Sequence, residues 1–173
     1  MQLYGALLLL PAALLLSTFA YLPTITTVIN SLFLPGFRGE PTAFVGLDNY
    51  RVLLDDPTFW KVARNNLLYA LGTIPTSIAL ALGMALFVNG KLPGRGLVRM
   101  AYFTPTILPM IAAANIWMFF YAPQIGLFNK LLGALGFSGV NWLGDPSVAL
   151  GSVIVMSVWK EAGVFMIFYL AAL

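Results

Sequence analysis

The chain of 173 residues contains no cysteine and no histidine. Without cysteine there are no disulfides and no thiolate metal sites, and without histidine the usual general base and the commonest metal ligand are missing. Charge is scarce too: Asp, Glu, Lys and Arg make up 9% of the residues, against about a quarter in soluble domains. The formal charge of +3 is small and spread along the chain, so composition gives no sign of nucleic-acid binding. No nucleophile–base pair, metal-ligand cluster or paired carboxylates can be assembled, so the sequence supports neither an enzyme nor a bound cofactor.

What is present is apolar. Hydrophobic residues are 60% of the chain, and the mean hydropathy is +0.90. Long apolar runs separated by turn-like breaks predict an all-α, polytopic membrane bundle. Four runs have the ~20 residues that a hydrocarbon core of ~30 Å requires. They cover about Leu3–Leu34, Asn66–Val88, Ala101–Tyr121 and Ser147–Leu173. The first has no Lys or Arg at its amino end and is too long for a signal-peptide core, so it reads as a span. Residues 1–64 then form a first span with a polar linker, and residues 65–173 carry the other three.

Two Asp-Pro pairs mark helix starts. Asp56 offers a side-chain acceptor at the N-cap with Pro57 at the first helical position, and Asp145 with Pro146 repeats the device. Phe59, Trp60 and Trp142 suit a membrane interface, while Lys61 and Arg64 can snorkel. Asp48, in "GLDNYRVLL", can cap a short helix. Two matching starts separated by one span imply entry from the same side. The link "NGKLPGRGLVR" carries Lys91, Arg95 and Arg99 and no acid. The positive-inside rule therefore places it, with the amino terminus, on the cytoplasmic side of a bacterial or archaeal cytoplasmic membrane. It lacks the phosphate-loop spacing, and reads as a helix C-cap at Asn89–Gly90 followed by a basic turn near anionic lipid. "GLFNKLLGALGF" then reads as a short amphipathic helix on the outer surface.

Pro105 and Pro109 lie one turn apart in the third run, as a partly opened segment near a pathway or as a kink packed against a neighbour. Asn115 is either interhelical hydrogen-bonding glue or a solute contact. Gly72, Thr76, Ala79 and Gly83 provide small-residue spacing for close packing in the second run. In "SVWKEAGVF", Ser157, Lys160 and Glu161 fall within a helical arc of about 100°, opposite Trp159 and Met166. Lys160 and Glu161 are neighbours and do not face each other. Each charge at mid-bilayer costs ~2.5–3.5 kcal/mol, so this polar stripe should face a cavity or partner groups within the bundle.

The order "FVGLDNY", "KLPGRGLVRMAYFTPTILP", "NWLGDPSVAL", "SVWKEAGVFMIFYLAAL" resembles the permease subunits of binding-protein-dependent ABC importers of sugars or glycerol 3-phosphate. The resemblance implies a type I permease fold, a second permease subunit, a separate pair of ATPase subunits and an external solute-binding protein. It also implies that the chain ends before the family's ATPase-docking loop. Two other readings stand beside it: a proton-coupled transporter using Lys160 and Glu161 as a relay, and a membrane scaffold without transport.

Overall fold

The computed structural model describes residues 2–37, 39–90 and 93–173. Lys91, in the basic link, lies outside them. The chain divides into a first unit reaching Val62 and a second from Ala63 to Leu173.

The first unit opens with helix α1 (Gln2–Leu16), a π-helical turn (Ser17–Tyr21) and α2 (Leu22–Asn30). Pro23 has no amide to give the carbonyl four residues back. Immediately before it, the Leu22 amide reaches back five residues to the Ser17 carbonyl. Thr24, Thr26 and Thr27 donate their hydroxyls to the carbonyls of Ala20, Leu22 and Pro23 at 2.7–2.8 Å. These hydroxyls are thus satisfied within the helix itself, which makes threonine tolerable in an apolar span. The span ends at Asn30, short of the expected Leu34, because the chain then becomes extended.

The linker holds more structure than its polarity suggested. Strands β1 (Phe33–Pro35) and β2 (Pro41–Phe44) pair antiparallel, with Phe33 opposite Phe44 and their rings edge-to-face at 5.3 Å. Helix α3 (Asp48–Asp55) follows. Asp48 does not cap it, contrary to expectation. It is the first helical residue, behind Leu47, and pairs with Arg51 at 3.0 Å. The motif's neighbouring residues hold the linker in place. Asn49 donates to the carbonyls of Ser31 and Phe33 at 2.8 and 2.9 Å, and the Tyr50 hydroxyl meets that of Ser31 at 2.6 Å.

Helix α4 (Pro57–Asn89) has 33 residues, about 50 Å at 1.5 Å per residue, and so exceeds the hydrocarbon core. Its start follows the Asp-Pro expectation: the Thr58 amide donates to Asp56 Oδ1 at 2.8 Å. In the second unit it is followed by α5 (Arg95–Ile107), α6 (Met110–Phe120), α7 (Leu127–Ala134) and α8 (Ala149–Ala172). Gly94, with φ of 75°, turns the chain into α5.

The third run is not one straight span. Leu108 and Pro109 are extended, with ψ of 132° and 143°, and the axes of α5 and α6 differ by 101°. Proline disfavours the α conformation in the residue before it and supplies no amide. The break therefore falls at Leu108–Pro109, while Pro105 stays inside α5. The two helices are about 20 and 16 Å long, so neither crosses the hydrocarbon alone.

Packing on α4 uses a stripe displaced from the expected one. Thr76, Ala79 and Gly83 are exposed, whereas Thr73, Ser77, Ala81 and Ala85 are buried at four-residue intervals. Gly72 does pack: a Cβ there would come within 2.7 Å of Ile154 on α8. Ala81 and Ala85 meet Met166 of α8 in a core flanked by Met84, Tyr102, Phe165 and Tyr169. These small residues allow close approach, the main device of helix association in lipid. Gly163 is its extreme case, with the Tyr102 carbonyl and Thr106 Oγ1 of α5 in the space a Cβ would need.

Candidate functional site

The expected polar stripe on α8 divides among different partners. Ser157 accepts from the Tyr69 hydroxyl of α4 at 2.8 Å and donates to the Val153 carbonyl at 2.9 Å. Lys160 is half-buried and turns to the α5–α6 break. Its Nζ lies 3.1 Å from the Leu108 carbonyl and 3.4 Å from that of Thr106. Thr106 answers by donating its hydroxyl to the Lys160 carbonyl at 3.0 Å. Glu161 is exposed. On the opposite side Met166 is fully buried, and Trp159 meets Trp117 edge-to-face at 5.5 Å. Ser157 and Lys160 thus face groups within the helical unit, and only Glu161 of the three stands open.

The Lys160 contacts have a clear physical cause. A carbonyl without a donor in hydrocarbon costs several kcal/mol. A proline break opens such carbonyls, and a cation at the carboxyl end of a helix also opposes the helix dipole. The ammonium carries three donors and can serve two carbonyls at once. The adjacent prolines were visible in the sequence; nothing in it linked them to a lysine more than fifty positions later.

Asn115 is exposed on α6, beside buried Ala113 and Trp117. Past it, the carboxyl end of α6 leads into an aromatic cluster. Trp117, Tyr121, Phe128 and Trp142 approach one another with centroid separations of 5.3–6.0 Å. Asn129 organises the polar edge. It donates to the carbonyls of Pro123 and Val140 at 2.9 Å and accepts from the Val140 amide and the Trp142 indole at 3.0 Å. The Tyr121 hydroxyl donates to the Ser152 carbonyl, and Ser152 Oγ donates to that of Trp142. Trp142, expected as an interfacial aromatic, is a packed member of this cluster. Asn129 was not singled out from the sequence, because an asparagine inside an amphipathic stretch gives no local sign of its distant partners.

Asp145 accepts from the Ser147 amide at 2.9 Å and the Ser147 hydroxyl at 2.8 Å. These bonds hold its carboxyl below the usual carboxylate range by stabilising the charged form. The Ala149 amide reaches the Asp145 carbonyl at 2.9 Å. Asp145 and Pro146 therefore do not cap α8, contrary to expectation: they form a turn ahead of it, and the helix starts at Ala149 behind Val148. In the basic link, Arg95 is the exposed first residue of α5. Arg99 is half-buried with Nε unpartnered, beside a groove lined by Phe103, Met166 and Leu170.

No protein-family model matches the chain. Individual proteins do. It is 34% identical over 173 residues to the sulfoquinovosyl glycerol transport system permease protein SmoG of Agrobacterium fabrum, covering 99% of this chain and 56% of that protein. It is 33% identical over 169 residues to the trehalose/maltose transport system permease protein MalF of Thermococcus litoralis, covering 98% and 57%. A chain of a bacterial ABC transporter involved in the import of the acidic polysaccharide alginate has the same fold, with a TM-score of 0.81 and 25% identity over 99% of this chain and 57% of that one. The chain thus spans a little over half the length of each of these three proteins. Along that length, these similarities and the all-α, apolar fold show that it belongs to the permease proteins of ABC transporters, a family of multi-pass membrane transport subunits.

Proposed function

We propose that this chain forms part of the translocation wall of an ATP-driven importer for a sugar or sugar-like solute. The observation that carries the reading is the 34% identity to a glycoside-transport permease across 99% of the chain. The permeases named for trehalose/maltose and lactose transport point to the same solute class. A second permease subunit would complete the path, a pair of ATPase subunits would drive it, and an external binding protein would deliver the solute. A structural neighbour was crystallised with its alginate pentasaccharide-bound periplasmic protein, which supports that last partner. Residues 65–173 would belong to the type I transmembrane domain, with residues 1–64 as a preceding span and linker.

In this reading the amino terminus and the Lys91–Arg99 link face the cytoplasm, and α7 lies outside. Glu161 and Asn115, both exposed here, are the path candidates open to solute or to the second permease. Ser157 and Lys160, on the same helix as Glu161, face groups within the unit. The test is reconstitution of the complete permease with its ATPase and binding-protein partners in liposomes. Saturable uptake of a labelled oligosaccharide or glycoside that requires both ATP and the binding protein is expected. Uptake driven by a proton gradient without ATP would overturn the reading.

A further inference from the structure

The reciprocal contacts between Lys160 and the break carry an inference beyond membership of a transport path. We propose that Lys160 is a positioning residue, a clamp whose ammonium holds the α5–α6 break open at its observed bend and so sets the direction of α6. Three observations converge. First, the Leu108 carbonyl lies within the extended pair Leu108–Pro109 and the Thr106 carbonyl just before it, and Lys160 Nζ reaches both, at 3.1 and 3.4 Å. α6 closes its own first turn on Pro109, through the Ala113 amide at 3.0 Å. Second, Thr106 returns a bond to the Lys160 carbonyl at 3.0 Å, so α5 and α8 are tied in both directions within one helical turn of the break. Third, Gly163 lets α8 approach the Tyr102 carbonyl with no side chain between them, which keeps the lysine within reach of the break. Pro109 explains why the helix is interrupted; it does not explain why the bend takes one direction, and a clamp from a third helix does.

The inference rests on geometry and not on the importer reading, so the two can fail separately. Because the chain has no cysteine, spin labels can be placed at Leu97→Cys on α5 and Met118→Cys on α6, both exposed. The measurement is the interlabel distance distribution by pulsed electron paramagnetic resonance, in the assembled transporter in lipid nanodiscs. Along a straight helix these positions would lie about 30 Å apart, and the bend brings their backbones closer. Lys160→Arg, which keeps a cationic donor, should retain the native distribution. Lys160→Met should broaden it and move it to longer separations. If Lys160→Met does not assemble, Thr106→Val, which removes only the return bond, should shift it in the same direction by a smaller amount. An unchanged distribution in Lys160→Met, or in Thr106→Val when that variant must stand in, overturns the clamp. Solute uptake lost with an unchanged distribution would give Lys160 a direct role in the path instead.

Discussion

At the scale of single residues, close packing and capping yield sharp expectations. Gly163→Ala should destabilise the assembled permease by about 1–3 kcal/mol, the usual cost of overpacking, because backbone and a threonine hydroxyl already occupy the space. Thermal unfolding of the purified complex, followed by tryptophan fluorescence, would measure it. Ser77→Ala should be neutral or stabilising by up to about 1 kcal/mol. Its hydroxyl is buried without a partner, and removing an unsatisfied polar group removes its desolvation cost. A clear loss of stability there would point to a partner that the helix face acquires in assembly. At Asp145 the folded-state pKa is depressed. Its contribution is therefore present above the ordinary carboxylate pKa and lost as pH falls through the lowered value. Asp145→Ala should lower the thermal midpoint at neutral pH, and its difference from the native protein should shrink on acidification below the carboxylate range. A difference that stayed constant with pH would show that the Asp145–Ser147 bonds are not the source. The Asp56–Pro57 cap was legible because capping is local chemistry, whereas Asp145–Pro146 made a turn ahead of α8 instead. Gly163 was not, since its neighbours come from another helix.

At the scale of elements, helix existence was legible and helix shape was not. Apolar runs of sufficient length announced the spans, and the prolines announced a disturbance in the third. What neither fixed was a turn of 101°, because Pro105 and Pro109 have similar local chemistry yet only the second breaks the helix. Pro109→Ala restores an amide and releases Leu108 from its extended preference. With the same label pair on α5 and α6, this variant should show a population near the straight-helix separation of about 30 Å. A distribution identical to the native one would mean that packing alone maintains the bend. The stripe on α4 shows the same division. Small residues are spread over much of its middle, so spacing alone did not select Thr73, Ser77, Ala81 and Ala85 over Thr76, Ala79 and Gly83. The partner helix made that choice.

At the scale of the whole molecule, the expected orientation can be tested with single cysteines at Gly96 and Gly133, exposed positions with no atoms crowding a new Cβ. In intact cells an impermeant maleimide should label Gly133→Cys and spare Gly96→Cys until the membrane is opened. The reverse pattern would invert the topology. The sequence by itself determined the environment, since a chain 60% apolar and 9% charged must satisfy its backbone within helices in lipid. It also determined the start of α4 at Asp56–Pro57, the presence of a proline disturbance in the third run, and the order of motifs that marks the family, because these depend on neighbours along the chain. Tertiary structure decided the rest. It turned Lys160 from an apparent stripe toward open carbonyls, enclosed Asn129 and Trp142 in one network, and chose which face of α4 is covered. These outcomes depend on groups far apart in sequence, and one-dimensional spacing does not record which of them meet.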